Sequence, residues 1–165
     1  MRPLLTFEPI STNSCPSLQL GSYSTRLKEH TMTPLILTSV ADMQKLITDT
    51  IIDVRAPAEY AEDHLPGAIN LPVLSDAERD KVGTIYKQAS PFDARKIGGA
   101  LVAHNIATHL QGALADKDGA WQPLIYCWRG GQRSSAFATI LNQVGWRVKL
   151  LQGGYQSYRR EIVQM

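Results

Sequence analysis

Short apolar runs with strand character alternate with helix-like periods along most of this chain, and that alternation restricts the fold more than any other feature. TIIDV at residues 50–54 is β-branched and apolar on both faces, too apolar for a strand with one face in water. LIY at 124–126 is a second apolar strand, and residues 35–37, 68–71 and 146–151 read as three more. Helical patterns lie between them, at 39–47, 58–61, 76–82, 93–109, 134–144 and 155–162. The first puts Val40, Met43, Leu46 and Ile47 on one face. The fourth offers Ile97, Leu101, Ile106 and Leu110 to a core, and the fifth turns Phe137, Ile140, Leu141 and Val144 inward. Pro57 suits a first helical turn, Gly145 suits a C-cap, and HLPG at 64–67 reads as a turn. Residues 83–91 are ambiguous. Gly98 and Gly99 inside a helix cost about 1 kcal/mol each against alanine. A close helix crossing, a contact with the loop after residue 127, or a weak helix would each account for them. Strands alternating with helices predict an α/β domain with a parallel sheet covered on both faces. Ligands of such sheets bind at the C-terminal ends of the strands.

One stretch stands at such an end. LIYCWRGGQRS at 124–134 reads as strand, cysteine, a loop with two glycines, arginine, then the start of a helix. A loop between a strand end and a helix N-terminus can aim backbone N–H groups at an anion, with the helix dipole behind them. Such surroundings favour a thiolate. Cys127 is the candidate nucleophile. Trp128, Arg129, Gly130, Gly131, Gln132, Arg133 and Ser134 form the candidate anion-binding loop. A buried structural cysteine beside a turn is the alternative.

Composition narrows the classes. The 165 residues carry 17 basic and 15 acidic side chains, a net charge of +2 that forces no nucleic-acid reading. Arg147, Lys149, Arg159 and Arg160 would join Arg129 and Arg133 on one side if a basic face exists, with Trp128, Tyr155 and Tyr158 available for stacking. A solvated polar face is the more economical reading. Two cysteines, Cys15 and Cys127, give no disulfide framework, and a reducing cytoplasmic setting fits best. Four histidines and two cysteines show no ligand spacing, so no metal is expected, and no cofactor is implied. No apolar run is long enough for a membrane span. Residues 1–31 are rich in Ser, Thr, Asn and Pro without apolar period and read as a disordered leader, leaving 32–165 as the folded domain. Met32 is an alternative start.

DVR at 53–55, Glu59-Tyr60, HLPGAIN at 64–70, the Cys127 loop and Gly153-Gly154-Tyr155 together resemble the signatures of rhodanese-like domains over residues 35–162. The resemblance implies an α/β fold with a central five-stranded parallel sheet and helices on both faces. It also implies sulfur or selenium transfer through a persulfide, or its selenium counterpart, on Cys127. Asn70-Leu71-Pro72, Glu78-Arg79, Val82-Gly83-Thr84, Tyr86-Lys87-Gln88 and the loop from Cys127 to Ser134 resemble more narrowly the N-terminal domain of bacterial tRNA 2-selenouridine synthases. In that family a P-loop domain follows, selenophosphate donates selenium, and the wobble 2-thiouridine of tRNA is modified through a geranylated intermediate. No G-x-x-x-x-G-K-[ST] occurs in these 165 residues, so a separate or missing P-loop partner is expected.

Thiosulfate sulfurtransferases typically have four residues between cysteine and arginine, whereas five stand here, Trp128 through Gln132. Five resembles the cysteine phosphatase loops and gives room for a tetrahedral oxyanion such as selenophosphate or phosphate. Varying loop length without a change of substrate is the alternative. Arg133 either braces the loop or clamps the oxyanion, and Arg129 either faces substrate or is a solvated charge. Asp53, Arg55 and Glu59 are supporting residues. Asp53 and Arg55 stand at the end of the second strand and are expected near the same rim, with Arg55 either contacting substrate or forming a structural ion pair, Glu59 being a candidate partner. His64 matches a structural motif. The rival readings are a free-standing sulfurtransferase using thiosulfate or a protein persulfide, a non-catalytic docking module, and, less favoured for want of a general acid, a phosphatase.

Overall fold

The structure is a computed structural model and describes residues 32–39, 42 and 47–163. Five parallel strands form one sheet in the order β1-β5-β4-β2-β3. They are β1 (Thr33–Leu35), β2 (Thr50–Asp53), β3 (Ala68–Asn70), β4 (Pro123–Tyr126) and β5 (Lys149–Leu151). The helices are α1 (Pro57–Glu62), α2 (Asp76–Gln88), α3 (Pro91–Gln111), α4 (Gln132–Val144) and α5 (Gly154–Val163).

β4 is central and buried at all four positions. Its side chains alternate between two cores. Ile125 and Cys127 pack with Ile52, Val54, Ile106, Phe137 and Leu141 on one face. Leu124 and Tyr126 pack with Leu65, Leu151, Tyr155 and Tyr158 on the other. Burying each such aliphatic side chain stabilises the fold by about 1.5–3 kcal/mol. The chain leaves β2 toward β3 on one side and β4 toward β5 on the other, so the order reverses between β2 and β4. That crevice is where open α/β sheets bind ligands.

The first strand lies two residues earlier than its sequence pattern predicts. The helix expected over 39–47 falls largely outside the described residues; of that stretch Ser39, Asp42 and Ile47 are described, and Ile47 is exposed. α2 passes Val82 and runs through the ambiguous segment to Gln88. A capping box at Ser75 and Glu78 starts it, and packing on α3 supports it. α3 buries Ala94, Gly98 and Ile106, while Ile97 and Leu101 stay half-exposed. A Cβ on Gly98 would lie 3.3 Å from Val82 Cγ1, so a close crossing of α2 and α3 accounts for this glycine. Gly99 would meet nothing within 4 Å. In α4 Phe137 and Leu141 point inward as expected and Ile140 packs at the edge of the core. Val144 is exposed instead, because Ser134, Phe137, Ala138 and Leu141 already fill the inward stripe. Gly145 ends that helix in the left-handed conformation.

Candidate active site

Cys127 follows directly on β4, and α4 begins five residues later. The thiol is 3 % exposed, and its Sγ lies 3.1 Å from Ser134 Oγ. That hydroxyl is itself fully buried and lies 3.1 Å from the Gly131 carbonyl oxygen, to which it donates. A serine has one hydroxyl proton. With that proton on Gly131, Ser134 can only accept from a Cys127 thiol; turned the other way, it donates to a sulfur anion. Ser134 therefore suits either charge state of the sulfur through a single rotation.

The loop wraps tightly onto the start of α5. Tyr155 N–H donates to the Cys127 carbonyl at 2.8 Å, and Gln156 N–H to the Trp128 carbonyl at 3.0 Å. A Cβ on Gly154 would sit 2.2 Å from the Cys127 carbonyl oxygen and 2.6 Å from Gly130 N, and the residue has φ of 59°. Gly130, at φ 68°, is pressed against the Leu151 carbonyl in the same way. Both positions require glycine for space as well as for backbone conformation. Among the described residues, the backbone N–H groups of 128–133 find no hydrogen-bond acceptor. Such a run of free amides at a helix N-terminus offers donors suited to an anion.

Asp53 and Arg55 lie beneath the loop, not on its rim. Arg55 Nη2 reaches Asp53 Oδ2 at 2.7 Å and Nε reaches both Asp53 oxygens, with neither side chain more than 1 % exposed. Arg55 also donates to the Asp63 carbonyl at 2.6 Å. Its guanidinium stacks 4.2 Å from the Tyr155 ring centroid, with Tyr126 and Trp128 at 5.8 and 5.9 Å. Burial works against its charge, but the hydrogen bonds and charge of Asp53 outweigh that and raise its pKa. Burial also lifts the Tyr155 phenol to about 12, helped by its bond to the Asp63 carboxylate. The candidate Arg55–Glu59 ion pair does not form. Arg55 precedes α1, so the helical i,i+4 spacing does not apply to it, and the strand-end turn brings Asp53 back onto it instead.

Glu59, on α1, serves the loop. Its Oε2 accepts from Arg133 Nη1 at 2.8 Å, from Arg79 Nε at 2.9 Å and from the Ala56 N–H at 3.2 Å. Burial alone would raise the Glu59 pKa. The Arg133 hydrogen bond and charge, aided by Arg79, outweigh it and hold the carboxyl below its usual range. Arg133 thus braces the loop through Glu59. Arg79 was not singled out as a site residue from the sequence, although it stands in one of the matching motifs. A cavity of about 250 Å³ opens here, lined by Glu59, Glu62, Arg79, Trp128 and Arg133.

Trp128 is half-buried, its ring 5.4 Å from that of Tyr155, and it also borders a cavity of about 400 Å³ with Gln156, Arg159, Arg160 and Val163. Arg129 is exposed. The basic residues do not form one side. Lys149 lies level with Leu124, three residues before the cysteine, and its ammonium donates to the Ile47 carbonyl, while Arg147 is farther back still. Only Arg159 and Arg160 accompany the loop. His64 stacks on Tyr60 and bonds the Tyr60 carbonyl at the end of α1. Among the described residues no group of His, Cys, Asp or Glu is arranged to hold a metal ion, and no helix is long and apolar enough to cross a membrane.

The rhodanese-like domain profile matches residues 38–161. A tRNA 2-selenouridine synthase of Shewanella denitrificans is 37 % identical over 123 residues, covering 70 % of this chain and 32 % of the synthase. The protein of the same name from Nitrosomonas europaea is 40 % identical over 119 residues, covering 71 % and 31 %. The chain thus spans about a third of the length of these curated relatives. Among solved structures, the N-terminal domain of a protein described as ATP/GTP binding, from Clostridium difficile 630, superposes with a TM-score of 0.65 at 33 % identity, covering 81 % of this chain and 99 % of that one.

Proposed function

We propose, given that the chain belongs to the rhodanese-like domain family, that Cys127 carries sulfur or selenium for the modification of tRNA. The observation that carries this reading is the arrangement at Cys127. A thiol at the end of the central strand is held by Ser134, inside a loop of free backbone N–H groups seated on Gly154.

With a sulfane-sulfur donor the chemistry balances simply. The Cys127 thiolate attacks the outer sulfur of thiosulfate, an S–S bond forms, the donor S–S bond breaks, and sulfite leaves with the electron pair. The persulfide stays on Cys127. Loop amides and the α4 dipole stabilise negative charge on the donor and on the carried sulfur. Ser134 turns its proton from Gly131 to the sulfur as charge develops there. The fifth residue between Cys127 and Arg133 supports a tetrahedral donor such as selenophosphate, where thiolate attack at selenium forms the S–Se bond, breaks the Se–P bond and releases phosphite with the electron pair.

Homology to tRNA 2-selenouridine synthases supports wobble 2-thiouridine as the acceptor, reached as part of a complete enzyme in which a P-loop domain accompanies this one, in the cytoplasm. The likeness to the N-terminal domain of an ATP/GTP-binding protein supports the same arrangement. Residues 1–31 are read as a leader outside the domain. A free-standing thiosulfate sulfurtransferase is the second reading, since the same loop serves that reaction.

Intact mass after brief exposure to selenophosphate, and separately to thiosulfate, tests the proposal. One added chalcogen on the wild type and none on Cys127→Ser is expected, with selenophosphate the better donor. A better yield from thiosulfate would favour the second reading, and no adduct from either would point to a docking module.

A further inference from the structure

We propose that Arg79 is a movable clamp for a tetrahedral dianion bound over the Cys127 loop, and that Glu59 parks it when no anion is present. The inference deepens the carrier reading by taking that dianion to be the donor or its oxyanion product. It stands on the geometry around Glu59.

Three donors converge on one oxygen, Glu59 Oε2, two of them guanidinium groups from different helices. A carboxylate oxygen offers about two good acceptor directions, so this one is oversubscribed. Of the two guanidinium groups Arg79 is the less firmly held. Its bond is 2.9 Å against 2.8 Å, and its side chain is 47 % exposed against 24 % for Arg133. An exposed ion pair of this kind releases at little cost. Arg133 is fixed at its other end by the first turn of α4, whereas Arg79 projects from α2, which buries none of its residues. Both line the 250 Å³ cavity beside Trp128. That volume suits an anion of phosphate size together with water. Trp128 and Arg133, at the two ends of the loop, border such an anion on one side, and Arg79, released from Glu59, meets it on another with a planar fork of donors. Glu59 and the anion therefore compete for the same guanidinium. A structural surface pair would show no such competition.

Titration calorimetry with inorganic phosphate at low ionic strength, on the full chain, tests this. Arg79→Met should weaken phosphate binding about five- to tenfold, the scale of one solvated charge-assisted contact. Arg79→Lys, which keeps the charge without the fork, should recover part of the loss. Glu59→Gln should tighten binding, because the clamp no longer has a rival. Opposite signs at the two ends of one ion pair are the signature. Wild-type affinity in Arg79→Met, weakening in Glu59→Gln equal to that in Arg79→Met, or no phosphate binding by the wild type would each overturn the inference. Unfolding curves without phosphate check that every variant is folded. Chalcogen loading of the wild-type chain, followed by mass, separates the two proposals. Arg79-dependent phosphate binding without loading sinks the carrier reading alone. Loading without Arg79-dependent binding sinks the clamp alone.

Discussion

Two ion-pair networks lie a few residues apart at the end of β2, and they serve opposite ends. Asp53 and Arg55 are 0 % and 1 % exposed, bonded through several donors, and walled in by Tyr126, Tyr155 and Trp128. Glu59, Arg133 and Arg79 are 16 %, 24 % and 47 % exposed and share a single carboxylate oxygen. The inner pair cannot exchange partners without leaving a charge in the core. The outer group can, because water replaces whatever is lost. The lesson is that charge near a site is architecture when it is sealed and machinery when one partner can leave. The inner network fixes the floor on which the Cys127 loop rests, and the outer one is the seat of the proposed clamp.

The largest effect is expected at the inner pair. Arg55→Met leaves Asp53 charged and unpaired in the core and should destabilise the domain by about 3–5 kcal/mol in urea unfolding. Replacing both partners, as Asp53→Leu with Arg55→Met, should recover much of that, since a buried pair is often neutral against apolar substitutes. A single-variant loss below about 1 kcal/mol would place this pair with surface ion pairs and break the comparison.

Part of this was legible in the sequence and part was not, for physical reasons. The parallel sheet followed from TIIDV and LIY, whose continuous apolarity fits only strands buried on both faces. The position of Cys127 followed from the strand–glycine–helix order, which sets a local geometry. Glu59 was offered as a partner for Arg55, but the turn at the end of β2 folds Asp53 back onto that guanidinium, a return the sequence pattern does not encode. The close approach of Gly154 to the Cys127 carbonyl joins residues 27 apart in sequence, and no local pattern encodes the distance. Arg79 was missed for the same reason: it reaches Glu59 across 20 residues and from another helix. α2 was cut short at Val82 because Gly83 reads as a breaker, whereas packing on α3 and the capping box at Ser75 carry the helix on.

A middle-sized effect is expected at Glu59, and pH gives its sign. Its folded pKa lies below the ordinary glutamate value of 4.5. The stabilisation it contributes is therefore fully present above that value and is lost as pH falls through the lower folded pKa. Glu59→Gln should cost about 1 kcal/mol near neutral pH. Thermal unfolding of the variant and the wild type should converge in acid, where the wild-type carboxyl is protonated as well. A constant gap between the two curves down to strongly acidic pH would mean that Glu59 acts by packing and not by charge.

The smallest effect on stability is expected at Arg79, and its smallness is informative. The Arg79–Glu59 pair is solvated, Glu59 keeps Arg133 and the Ala56 N–H when Arg79 is removed, and α2 buries no residue that depends on it. Arg79→Met should therefore change unfolding free energy by no more than about 0.5 kcal/mol. Moderate salt should shrink even that, because screening acts on exposed pairs first. A residue nearly silent in stability, yet decisive in phosphate affinity, is what a releasable clamp requires. A loss above about 1 kcal/mol would instead make Arg79 a fixed tie between α1 and α2, as sealed in its role as Arg55. The distinction between the two networks would then rest on Arg133 alone.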